Sequence, residues 1–138
     1  MKSRRFSLYI SILAIVLGVT SSLVHASVTS DLMAEYQHSG AQQPDPQKAK
    51  AMWTQKFPDD SGKNTRSCSS CHTDNLHSSG KHARTNKPIE PLAPSVNKER
   101  LTDAKKIEKW FKRNCKWTLG RECSPQEKSD FLSYILSQ

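Results

Sequence analysis

Methionine is scarce in this chain and confined to one end. Of 138 residues only Met1, Met33 and Met52 carry a thioether, and none follows position 52. A downstream thioether ligand is therefore lacking, and Met52, on a helix stripe, reads as core packing. Long apolar runs are also missing. The conspicuous one, residues 6–19, is shorter than the ~20 residues that span a bilayer. No internal repeat, low-complexity run or nucleic-acid recognition motif is present, so repeat architectures and a nucleic-acid partner are set aside. Only four cysteines occur, and Cys115 and Cys123 have no His between them. A second ligand pair at zinc-finger spacing is therefore lacking.

What is present begins with a targeting pattern. Lys2, Arg4 and Arg5 precede the apolar run, and Val24-His25-Ala26 is a small-x-Ala cleavage pattern. Residues 1–26 read as a signal peptide cut after Ala26, which implies export and, in a bacterium, the periplasm. An uncleaved membrane anchor is the competing reading. The formal charge of +8 falls to +5 when Lys2, Arg4 and Arg5 are removed. That surplus suits an acidic redox partner; dispersed lysines on a solvated face are the plainer account.

The remaining chain is long enough for one small domain with a thin core. Val28, Leu32 and Tyr36 recur at helical spacing, and Gly40 and Pro44-Asp45-Pro46 end that helix, so residues 27–45 read as an N-terminal helix and linker. The domain proper is expected over 46–138. Ala49, Met52, Trp53 and Phe57 predict a second helix stopped by Pro58. Residues 78–100 show little periodicity and need something to pack on. Thr102 reads as the N-cap of a third helix with Ala104, Ile107, Trp110 and Phe111 on one face, to about Arg113. Ser124-Pro125-Gln126-Glu127 is a capping box opening a terminal helix. The fold class is all-α.

Cys68-Ser69-Ser70-Cys71-His72 carries the chemistry. Two thiols at this spacing each add to a vinyl group of one haem, and the next His falls beneath the iron as proximal ligand. A thioredoxin-like CxxC would want a strand before and a helix after, and the flanks here look like loops. One covalent haem c is the cofactor these residues imply. It would also supply the missing core.

The sixth ligand decides function. Without a downstream Met, the usual closure of a small electron carrier is absent. His77 and His82 follow His72 too closely to reach round the haem edge easily. Asn114 continues the face of Ile107, Trp110 and Phe111, and helix C-cap is its ordinary alternative. Trp110 and Phe111 either wall a distal pocket or pack the core. With two cysteines used by haem, a disulfide between Cys115 and Cys123 is possible, and an exported protein permits it.

At this point the chain resembles a known family. Arg113-Asn114-Cys115, Gly120-Arg121-Glu122-Cys123-Ser124-Pro125 and Leu92-Ala93-Pro94-Ser95, with the haem motif, Lys87-Pro88-Ile89-Glu90-Pro91 and Glu127-Lys128-Ser129-Asp130, are similar to the sphaeroides haem protein family of oxygen-binding cytochromes c. The resemblance implies a class I cytochrome c fold, haem held by Cys68, Cys71 and His72, and Asn114 as distal ligand of oxidised iron. It also implies a Cys115–Cys123 disulfide, binding of dioxygen and nitric oxide to ferrous haem, and electron exchange with a di-haem cytochrome or other redox protein. A hard amide oxygen suits ferric iron better than ferrous, so reduction is expected to open the distal position. Carbon monoxide would bind there too. A plain periplasmic electron carrier and an oxidoreductase acting on bound dioxygen or nitric oxide are the alternatives. No catalytic acid–base pair stands beside Asn114.

Overall fold

Asp45-Pro46 and Ser124-Pro125 start two helices in the same way. Each cap accepts from the backbone of the first turn: Asp45 Oδ1 takes the N–H groups of Gln47 and Lys48 (both 3.0 Å), and Ser124 Oγ takes that of Glu127 (3.2 Å). Proline at the first helical position loses no bond there. The Glu127 carboxylate closes the capping box on the Ser124 N–H (2.8 Å). The computed structural model describes residues 20–138, with side chains from Val28 onward. The core of the expected signal peptide, residues 1–19, lies outside the described residues.

In chain order the elements are α1 (Thr20–His38), α2 (Pro46–Thr54), β1 (Phe57–Pro58), β2 (Thr65–Arg66), α3 (Ser69–His72), β3 (Gly80–Lys81), β4 (Pro88–Ile89), α4 (Ala104–Leu119) and α5 (Pro125–Leu136). The two β pairs are antiparallel two-residue ladders, Phe57 opposite Arg66 and Gly80 opposite Ile89. The helices make the fold.

Helix α5 is the hub. One side buries Phe131, Tyr134 and Ile135 against Ala49 and Trp53 of α2 and against Cys115 of α4. The other side buries Leu132 against Leu32 and Tyr36 of α1 and Ile107 of α4. Leu132 is fully enclosed, and truncating such a residue to Ala costs about 2–5 kcal/mol. Polar links fix the register. The buried carboxylate of Asp130 accepts from the Asp45 N–H (2.8 Å) and from Gln126 Nε2 (2.6 Å), tying the start of α2 to α5. Glu108 of α4 accepts from the Tyr36 hydroxyl and pairs with Lys128 (2.6 Å), joining α1, α4 and α5. Burial first, then this carboxylate, pushes the Tyr36 hydroxyl well above its ordinary range.

Three expectations need correcting. Phe57 is not on α2, which ends at Thr54, because the residue before Pro58 is pushed out of helical geometry. The cap of α4 is Asp103, whose carboxylate accepts from the Lys106 N–H (3.0 Å); the Thr102 hydroxyl instead donates back to the Glu99 carbonyl (3.0 Å). And α4 does not stop near Arg113. Nothing breaks it until Gly120, whose left-handed φ of 72° ends the helix.

Candidate haem site

Strand β2 delivers the chain to Cys68, and α3 is a single helical turn. A knot of hydroxyls closes it: Ser67 Oγ lies 3.0 Å from Ser69 Oγ and 2.9 Å from Ser70 Oγ. The turn ends at Thr73 in the left-handed region (φ 63°). For a β-branched residue this costs about 1–3 kcal/mol and needs support from its surroundings. The support is visible. Trp53 Nε1–H donates to the Thr73 carbonyl (2.8 Å), and the Thr73 hydroxyl donates to the Asn75 carbonyl (2.8 Å). The same Trp53 ring stands 5.8 Å from the His72 ring. Chain returning from the motif crosses back over it at Gly80. A Cβ there would sit 2.0 Å from the Cys71 carbonyl oxygen, so only glycine fits.

These elements enclose a cavity of about 750 Å³, within the range typical of ligand and cofactor sites. Cys68, Cys71 and His72 line it, and so do Trp110, Phe111 and Asn114 of α4. Cys68 and Cys71 are not disulfide-bonded to each other. Burial pushes the Cys68 thiol up to about 11. A thioredoxin-like nucleophile is pushed down instead, so Cys68 is not poised as an exchange nucleophile. The flanks are loop-like as expected, apart from the two-residue strand β2 before the motif; α3 is a single turn inside the motif itself. Burial first, then the charge of Arg100, lowers the His72 imidazole to about 4, which keeps it in the neutral form that binds metal. His72 Nδ1 is buried with no hydrogen-bond partner. Among the described residues no three His, Cys, Asp or Glu side chains gather to hold a bare metal ion. An unpartnered buried imidazole and two cysteines around one large cavity fit a covalently held haem.

Asn114 sits in mid-helix, with α4 continuing five residues to Leu119. It is therefore not a C-cap, and its side chain is free for the cavity it lines. Phe111 lines the cavity and packs on both core clusters, whereas Trp110 is 48% exposed with Arg113 stacked 5.1 Å from its ring centre. Cys115 and Cys123 form a disulfide, buried against the core beside the cavity. His77 is exposed and outside the lining. His82 reaches the lining, but its Nδ1 accepts from the N–H groups of Arg84 (3.3 Å) and Thr85 (3.2 Å). These contacts tie the ring to its own loop. Sequence reading missed Trp117 and Thr118, which also line the cavity. A longer α4 would have revealed them: Trp110, Asn114 and Trp117 lie at spacings of four and three along one face. It also missed Arg66, which holds the end of α4 by donating to the Trp117 carbonyl (2.8 Å).

Comparison with known proteins agrees with this geometry. A family model described as a domain of unknown function (DUF1924) matches residues 39–135. The cytochrome c-type protein SHP of Cereibacter sphaeroides is 36% identical over 113 residues, 79% of this chain and 83% of that one. The chain belongs to the SHP family of cytochromes c. Cytochrome c'' of Methylophilus methylotrophus is 45% identical over 89 residues; that match spans 64% of this chain and 61% of the relative. The structure of oxidised SHP, described as an oxygen-binding cytochrome c, superposes with a TM-score of 0.72 at 34% identity, covering 80% of this chain and 96% of that one. A solution structure of the Methylophilus cytochrome c'', described in terms of haem-ligand detachment, gives 0.70 at 38% identity, covering 81% and 94%. The fold is thus that of a class I cytochrome c, and haem is the cofactor the SHP family implies.

Proposed function

We propose that this chain is an exported monohaem cytochrome c whose ferrous haem binds a small diatomic gas, dioxygen or nitric oxide, after reduction releases Asn114. Cys68 and Cys71 would hold the haem covalently, and His72 would give the iron its imidazole nitrogen. Bound haem supplies an iron that cycles between ferric and ferrous states and takes a sixth ligand. Asn114 offers a neutral amide oxygen, a hard donor suited to the ferric state. Trp110 and Phe111 border the pocket around it. The observation that carries this reading is Asn114 itself, mid-helix on a cavity lining that holds no Met and where the His82 ring is tied to its own loop. SHP is described as oxygen-binding and cytochrome c'' in terms of ligand detachment, which supports the same reading here.

Residues 1–26 are the export signal in this reading, residues 27–45 a leading helix and linker, and 46–138 the cytochrome domain, working in the periplasm. No helix among the described residues is long and apolar enough to cross a membrane. Electrons come from a di-haem cytochrome or another redox protein, met by the basic side of α4. The exposed Lys105 and Lys109 stand there, with Lys112 and Lys116 sharing Glu122 (3.6 and 3.1 Å).

Visible spectra of the holoprotein test the proposal. The reduced form should be five-coordinate and take up carbon monoxide at once. Asn114→Ala should change the ferric spectrum to that of a water-bound or open site. A low-spin reduced protein that ignores carbon monoxide would leave a plain electron carrier.

A further inference from the structure

A histidine that binds a metal is usually oriented by its other ring nitrogen, which donates to a carbonyl or carboxylate behind it. His72 has no such anchor. Its ring lines the cavity, and its Nδ1 is buried with no hydrogen-bond partner. The backbone that follows it is also in an unfavourable conformation. Among the described residues, Thr73, Asn86 and Leu101 are the residues other than glycine at positive φ, and Thr73 alone of the three is β-branched. Such a residue rarely adopts that region. The Thr73 N–H closes the turn from within the motif by donating to the Ser69 carbonyl (3.0 Å). The Thr73 carbonyl is held from outside, by Trp53 of α2 (2.8 Å).

Trp53 can act as an anchor because it is itself held. It is buried, and its ring packs edge-on against Tyr134 (5.8 Å between ring centres) and Phe131 (6.3 Å) of α5. Its other aromatic neighbour is His72, 5.8 Å away and tilted by 45°. One side chain thus meets the motif twice, through its N–H at the carbonyl after the histidine and through its ring beside the imidazole. We propose that Trp53 is the positioning residue of His72: its N–H pins the left-handed turn that follows the ligand, and its ring fixes the imidazole plane in place of a hydrogen bond at Nδ1. This rests on the haem reading above. An imidazole held in one plane offers its nitrogen to iron in one geometry, so every ferrous molecule meets a gas with the same proximal bond. Helices α2 and α5 then govern the fifth ligand as α4 governs the sixth. Core packing alone is the competing account, since Trp53 belongs to the buried cluster with Ala49, Phe131 and Tyr134.

Resonance Raman spectra of the ferrous holoprotein separate the two through the iron–imidazole stretching band. Wild type should give one narrow band, and carbon monoxide should recombine after photolysis in a single phase. Trp53→Phe keeps an aromatic ring and loses the N–H. Its band should broaden or split, and recombination should divide into phases differing by about tenfold, the low end of what losing an outer-shell partner costs a metal site. Leu132→Val, in the other core cluster, should lower the melting temperature and leave both readouts as in wild type. A single narrow band and a single phase in Trp53→Phe would overturn the assignment, whatever its melting temperature. So would a split band in Leu132→Val, which would mean that lost core packing suffices. If Trp53→Phe does not accumulate, site-specific replacement of Trp53 by benzothienylalanine, which keeps the shape and lacks the donor, decides: an unchanged band refutes the pinning. Should the reduced protein ignore carbon monoxide, the hyperfine-shifted His72 ring signals of the ferric protein give the same comparison. A wild-type protein with no covalent haem, measured as the pyridine haemochrome, would instead remove the haem reading, and this proposal with it.

Discussion

Replacing both Cys115 and Cys123 by alanine removes a cross-link from the wall of the cavity. The two residues are 8 apart in sequence and 5% and 6% exposed. Freeing so short a loop in the unfolded chain is worth about 2.5 kcal/mol on the chain-entropy model. At about 4 °C per kcal/mol for a domain of roughly this size, the melting temperature should fall by about 10 °C. In the proposed function haem is attached to Cys68 and Cys71 and stays attached in the unfolded chain, so it would not mask the loss. The second expected effect is local. Asn114 precedes Cys115, and the link joins the last turns of α4 to the segment before α5. Without it, the ferric spectrum should broaden into a mixture of Asn-bound and water-bound forms. The assay is thermal unfolding of oxidised holoprotein followed at the haem band and in the far ultraviolet. A variant that melts within ~2 °C of wild type and keeps a homogeneous ferric spectrum would refute this account.

Three further outcomes are expected. Gly80→Ala should prevent β3 from crossing the haem motif, since its Cβ would meet the Cys71 carbonyl at 2.0 Å; a yield of mature holoprotein equal to wild type would contradict this. Hydrogen bonds from Arg121 (both 2.7 Å) hold Glu127 below the usual carboxylate range, so its stabilisation is present above the unfolded pKa near ~4.3 and is lost as pH falls through the folded value; Glu127→Gln should be less stable than wild type at pH 7 and approach it on acidification below about pH 4 in denaturant titrations. Reduction by an acidic redox protein should slow as ionic strength rises, and Lys109→Glu should slow it further while leaving carbon monoxide binding unchanged; a rate indifferent to salt would place docking elsewhere.

How much of this was legible beforehand follows from the range of each interaction. The haem motif depends on five adjacent residues, and the capping box of α5 on four, so both could be read directly. Val28, Leu32 and Tyr36 showed α1 by period alone. The end of α4 was misplaced because Lys112, Arg113, Asn114 and Lys116 look like a solvated terminus. In the fold Arg113 covers Trp110, and Asn114 lines the cavity. Arg100 had no signal, because its hydrogen-bond partners are backbone carbonyls. The Tyr36–Glu108–Lys128 link joins three helices across 72 and 20 positions of chain, and no local pattern announces it. The two-residue β ladders are below the length at which alternation can be detected.

The anchoring of α4 constrains how Asn114 could leave iron. Its start is capped by Asp103, its first half is held through Glu108 by α1 and α5, and its last turns are bound by Arg66 and by the disulfide. A helix tied to its neighbours at three points along sixteen residues, through Glu108, Arg66 and the disulfide, does not slide or tilt cheaply, since packed elements move between discrete arrangements rather than continuously. Release in the proposed function is therefore a rotation of the Asn114 side chain about its own bonds, on a backbone that stays in place. Rotamer changes of this kind take picoseconds to nanoseconds when the side chain is exposed. Opening should then follow reduction without a slow conformational phase. A flash-reduction experiment under carbon monoxide would show it: the binding rate should rise in proportion to gas concentration, with no plateau. A concentration-independent step in the millisecond range would mean that the helix itself moves, and that its anchors break during each cycle.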